Sequence, residues 1–215
     1  MGESASNQNL QGCLRVLGVD PAAAGPTGYA IVESEGRRYR VLHYGAFQVS
    51  AKRQKSSAGA ALQEVHGLLC DLIAQFKPQI MAVESVFSAL NVRTALRLAE
   101  VRGVVLLAGE QNGIEVCSYS PREVKACVAG YGHADKRQMQ IMVKAQLGMQ
   151  EIPEPSDAAD ALAVALCHLQ AAVLEQRFGV KKSDMVTSGR PRVQKRTPAA
   201  GHVTTALGVR IQPDR

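Results

Sequence analysis

At Ala58 the apolar pattern of this 215-residue chain changes period, and that change limits the folds open to it. Before it, Leu14 to Val19 is an alternating, β-branched run ending in the turn signal Asp20-Pro21. After the loop through Gly25-Pro26-Thr27-Gly28, Tyr29 to Glu33 and Tyr39 to Val49 read as two further strands. Beyond Ala58, Leu62, Val65, Leu69, Leu72 and Phe76 recur every three or four residues, the stripe of an amphipathic helix that stops before Pro78. Gln79 to Val83 is then a short buried strand ending at Glu84, and Asn91 can cap a long helix. The later part of that helix, Val101 to Gly109, is apolar almost all round and needs cover on both faces, either inside one chain or against a second copy. Ile114 to Tyr119 is another strand; Ser120-Pro121 opens a short helix, Lys136 to Leu147 a second, and Asp157 to about Arg177 a last one. This order predicts an α/β fold, a mixed five-stranded sheet flanked by helices.

Composition adds bounds. With 46% hydrophobic residues the chain can build one core without a disulfide or metal staple. Its five cysteines are scattered, with no CxxC pair, so neither a disulfide framework nor a zinc site fits. No apolar run approaches the ~20 residues of a membrane span, and the polar start MGESASNQNLQGC has no secretory stretch. The expectation is a soluble protein of the reducing cytoplasm. The net charge of +6 is uneven: from Gln176 onward nine Lys/Arg face two Asp, leaving 16 basic and 17 acidic side chains in the rest. Three parts are therefore expected: a flexible extension over 1–13, a folded domain over 14–175, and a basic, disordered tail over 176–215. Such a tail either aids solubility alone or adds salt-sensitive affinity for phosphate backbones.

The chemistry rests on acids. Asp20 and Glu84 each stand just past the carboxyl end of a predicted buried strand; if those strands are parallel neighbours, both side chains enter one crevice. Asp157 and Asp160, three apart on a predicted helix, share a face. Alone, each has an ordinary reading: Asp20 as a turn residue, Asp157 or Ser156 as a helix cap, Glu84 as an exposed strand end. Together, four close carboxylates repel one another, and divalent cations relieve this. Oxygen-only ligation selects Mg2+, with Mn2+ able to substitute, and two such ions about 4 Å apart suit phosphodiester hydrolysis.

These residues resemble the RuvC family of bacterial Holliday junction resolvases, which have a ribonuclease H-like fold. The matching segments are Leu17-Gly18-Val19-Asp20-Pro21 with Thr27-Gly28-Tyr29, Val83-Glu84-Ser85-Val86-Phe87, and Tyr119-Ser120-Pro121 with Val124-Lys125. Gly130 to Lys136 and Asp157-Ala158-Ala159-Asp160-Ala161-Leu162-Ala163 complete the set, in order, over about residues 14 to 170. Ala22 departs from it, standing where the family commonly has Gly. The resemblance implies a Mg2+-dependent endonuclease, acting as a homodimer on four-way junction DNA by paired nicks, with a RuvA-RuvB branch-migration complex as a partner. It puts the catalytic and metal-holding acids at Asp20, Glu84, Asp157 and Asp160, basic catalytic and DNA-binding residues at Lys125 and Lys136, and an aromatic DNA contact at Phe87. Without it, the lysines read as surface residues and Phe87 as core.

Three rivals stay in view: another ribonuclease H-like nuclease, a non-catalytic junction-binding module, and an ATP-binding protein of the sugar kinase and actin type. The last is suggested by Asp20 to Gly28 as a phosphate loop, and its need for two related domains argues against it.

Overall fold

Val16, Leu17 and Val19 of β1 (Leu14–Asp20) are fully buried, so this strand is covered on both faces and takes the centre of the sheet. The computed structural model describes residues 13–179 apart from 24, 37, 50–56 and 86–90. Phe87, residues 1–12 and the basic segment from 180 onward thus lie outside the described residues. β2 (Thr27–Glu35) pairs antiparallel with β1 on one side and with β3 (Arg38–Phe47) on the other. β4 (Ile80–Glu84) lies parallel to β1 on its second side, and β5 (Glu115–Tyr119) runs parallel to β4. The order β3-β2-β1-β4-β5 is the mixed five-stranded sheet that the alternation of elements predicts.

Helices cover both faces. α1 (Ala58–Phe76) and α2 (Val92–Gln111) bring Val65, Leu69, Leu72, Val101 and Val105 against Leu17, Val19, Met81 and Val83. α3 (Pro121–Ala129), α4 (Lys136–Gln146) and α5 (Ser156–Phe178) pack on the other face over Val16, Ala30, Val32 and Ala82. Strand boundaries fall within one to two residues of those read from the sequence, with β3 ending at Phe47 instead of Val49.

Two expectations need correction at α5. Neither Ser156 nor Asp157 caps it: Pro155 holds the cap position without a side-chain hydrogen bond, and Ser156 Oγ is buried with no hydrogen-bond partner among the described residues. The helix starts a residue earlier than its acids suggest, which leaves the Asp157 carboxyl out of capping. The chain also does contain a helix long and apolar enough, by length and composition, to cross a membrane: α5 itself, at 23 residues. Its alanines and leucines, from Ala158 to Leu169, are buried against the sheet, so its hydropathy is that of a core helix.

Candidate active site

Strand geometry sets the site. Side chains alternate along a strand, so Gly18 and Asp20 share the α5 face with Val16, and Ala82 and Glu84 share it on β4. The parallel register places Val19 beside Val83, which puts Asp20 and Glu84 at the same end of adjacent strands. Past Glu84 the β4–β5 pairing continues for one more bond, from Ser85 N–H to the Tyr119 carbonyl at 2.7 Å.

α5 delivers the third acid by lying directly on the sheet. A methyl group on Gly18 would stand 2.2 Å from the Ala161 carbonyl oxygen, and one on Gly28 would stand 2.0 Å from that of Asp157. Only residues without a Cβ permit that approach. Gly28 is paired with Asp20 across the β1–β2 ladder, so the close contact fixes the first turn of α5 next to Asp20. Two capping boxes place the cations. Ser120 and Glu123 start α3, which carries Lys125; Asp135 and Gln138 start α4, whose first residue is Lys136.

Asp20, Glu84, Asp160, Lys125 and Lys136 line one cavity of about 310 Å3, floored by Val124, Met139 and Ala163. Lys136 Nζ lies 3.3 Å from Asp160 Oδ2. Asp157 does not line this cavity, though its charge acts on Asp20. Burial, followed by the neighbouring charges of Glu84, Asp160 and Asp157, pushes the Asp20 carboxyl up to about 8, with Lys136 acting in the opposite sense. Burial and the charge of Asp160 push Glu84 up to about 7, against the pull of Lys125. Asp160 is also raised by burial, an effect opposed by Lys136.

The donor set suits a hard divalent cation: carboxylate oxygens only, partly buried, whose charge is disfavoured by their surroundings. Among the described residues, no group of three His, Cys, Asp or Glu is arranged to hold an ion, so the side chains share a cavity without forming a finished coordination shell. One residue at the site was not singled out from the sequence, and another was named there in a different role. Arg102 of α2 donates to Ser118 Oγ at 2.7 Å and faces the Glu84 carbonyl at 3.5 Å. Gly28, read from the sequence as the end of a loop and part of a matching motif, lies inside β2, and its role there is to let α5 approach.

Comparison with known proteins fits this geometry. The family model described as crossover junction endodeoxyribonuclease RuvC matches residues 16–168. The RuvC of Halothermothrix orenii is 43% identical over 166 residues, covering 77% of this chain and 98% of the relative. That of Chloroflexus aggregans is 46% identical over 167 residues, covering 78% and 99%. Among solved structures, T. thermophilus RuvC in complex with Holliday junction substrate superposes with a TM-score of 0.70 at 33% identity, covering 75% of this chain and 96% of that one.

Proposed function

The chain belongs to the RuvC family of crossover junction endodeoxyribonucleases, and from that premise we propose that it resolves four-way DNA junctions by paired symmetric nicks, in homologous recombination and DNA repair. The observation that carries the reading is the meeting of Asp20, Glu84 and Asp160 with Lys125 and Lys136 in one cavity at the ends of adjacent parallel strands. Asp20, Glu84 and Asp160, with Asp157 on the same helix turn, would hold divalent cations, two Mg2+ with Mn2+ as a substitute. When bound, such ions supply charge stabilisation to the attacking and leaving oxygens of phosphodiester hydrolysis.

The chain's own groups do the rest. Lys136 and Lys125 hold the scissile phosphate through its non-bridging oxygens and offset its growing charge. The half-buried acids favour a cation over a naked negative cluster, so their charge is kept for the loaded state. Binding follows junction shape and backbone charge, with base preference exerted at the cutting step. Phe87 lies three residues past Glu84 and serves as a stacking contact for junction bases. The exposed side chains Val92, Leu96, Leu106 and Leu107 of α2 form an apolar stripe for a second copy, which gives two sites for two nicks. The basic tail adds salt-sensitive contact with DNA, a RuvA-RuvB complex presents the junction, and the cytoplasm is the compartment.

A mobile four-way junction with Mg2+ tests this against flap, duplex and RNA–DNA substrates at equal salt. Asp20→Asn, Glu84→Gln and Asp160→Asn each lower nicking by at least about a hundredfold. Each still shifts the junction in a gel run with Ca2+. A variant that cuts at near the parent rate removes that acid from the site.

A further inference from the structure

Glu84 is the last residue of β4, and its carboxylate can be aimed only as well as the backbone that carries it. Strand ends fray unless something outside the ladder holds them. Arg102 supplies such a hold from the opposite layer. It sits on α2 between Val101 and Val105, whose burial seats that turn of the helix on the sheet. Its Nη2 donates at 2.7 Å to Ser118 Oγ on β5, and its Nη1 faces the Glu84 carbonyl oxygen at 3.5 Å. Ser118 pairs with Val83, and Glu84 pairs with Tyr119, so one planar guanidinium links the two strands across the last two rungs of their ladder, the second being that of the acid. A planar fork with fixed donors suits that task; a lysine reaches one oxygen at a time.

We infer that Arg102 is a positioning residue for Glu84, bracing the ends of β4 and β5 from α2 so that the acid points into the cavity. The apolar stripe of exposed residues lies on the same helix, so this brace also carries the placement of α2 to the site. The inference rests on Glu84 being one of the acids that hold the cation. Arg102 itself touches no reacting atom.

The test uses the full chain on junction DNA, with Mn2+ binding read by electron paramagnetic resonance beside single-turnover cleavage. Arg102→Gln weakens both Mn2+ binding and cleavage by roughly ten- to a hundredfold. Junction affinity in Ca2+ stays within about twofold, since the guanidinium acts on the strand end and not on the DNA. Arg102→Lys restores part of the loss. Ser118→Ala loses several-fold, and combining it with Arg102→Gln costs no more than Arg102→Gln alone, because both remove one brace. If Arg102→Gln binds Mn2+ and cuts like the parent, or the two substitutions add fully, the inference falls. Should Arg102→Gln fail to fold, Ser118→Ala decides, with unchanged Mn2+ affinity counting against the brace. Glu84→Gln, run in parallel, separates the two claims. If it keeps Mn2+ and cutting, the reading of the site fails; if it loses them while the Arg102 and Ser118 variants match the parent, only the brace fails.

Discussion

A carboxyl held at the end of a buried strand is tolerated by losing its charge or by gaining a cation. Asp20, raised to about 8, and Glu84, raised to about 7, are in that position. In divalent-free buffer the folded protein therefore binds more protons than the unfolded chain from the ordinary carboxylate range up to about pH 8. Stability should fall as pH rises through that window and level off above it. Asp20→Asn removes one such group, so its advantage over the parent is absent near pH 4 and grows to about 1–3 kcal/mol above pH 8. Urea denaturation at the two pH values measures this; an advantage that shrinks as pH rises contradicts the sign. Mg2+ should raise the melting temperature of the parent more at pH 8 than at pH 5, because metal and proton compete for the same oxygens.

At the scale of elements, α5 controls the site through what its neighbours lack. Gly28→Ala places a methyl 2.0 Å from the Asp157 carbonyl, and since the obstacle is backbone the first turn of α5 must move. The expected stability cost is about 1–3 kcal/mol. The larger effect is on rate: Asp157 and Asp160 shift together against Asp20, and cleavage falls by about a hundredfold at a temperature where the variant is folded. Gly67→Ala on α1 is the control, with open space around its Cβ and an expected gain of roughly 0.5–1 kcal/mol. Equal rates for Gly28→Ala and the parent, measured on folded protein, would detach the helix from the chemistry. Most of these elements were legible in the sequence because their signals are local. The switch of period near Ala58, the capping residues Asn91 and Ser120, and Pro78 after α1 mark boundaries through bonds spanning three or four residues. The start of α5 was not, because Pro155 occupies its cap position with no side-chain bond for a pattern to show.

For the whole molecule, the helix with the most large apolar side chains exposed at its surface, among the described residues, is α2. Val92, Leu96 and Leu107 are 75%, 61% and 50% exposed, and they fall along one side of a helix whose other side is sealed by Val101, Val105 and Ala108. Joint replacement of Leu96 and Leu107 by Glu should leave the fold intact, since neither is in the core, and shift sedimentation from dimer to monomer. Junctions should then receive single unpaired nicks. A parent chain that sediments as a monomer at micromolar concentration, or a doubly substituted one that stays dimeric, counts against this face as the contact. The sequence by itself determined the alternation of strands and helices, the sheet-and-helix class, and the four acids worth testing, because period, capping and residue chemistry act over a few neighbouring positions; Lys125 and Lys136 came only with the family resemblance. Only the tertiary structure decided that Asp20 and Glu84 end side by side, that Asp160 faces the cavity while Asp157 stands off it, and that Arg102 reaches Ser118 and the Glu84 carbonyl. Those outcomes depend on strand register and on how closely a helix can approach glycines, which are relations between residues tens to more than a hundred positions apart.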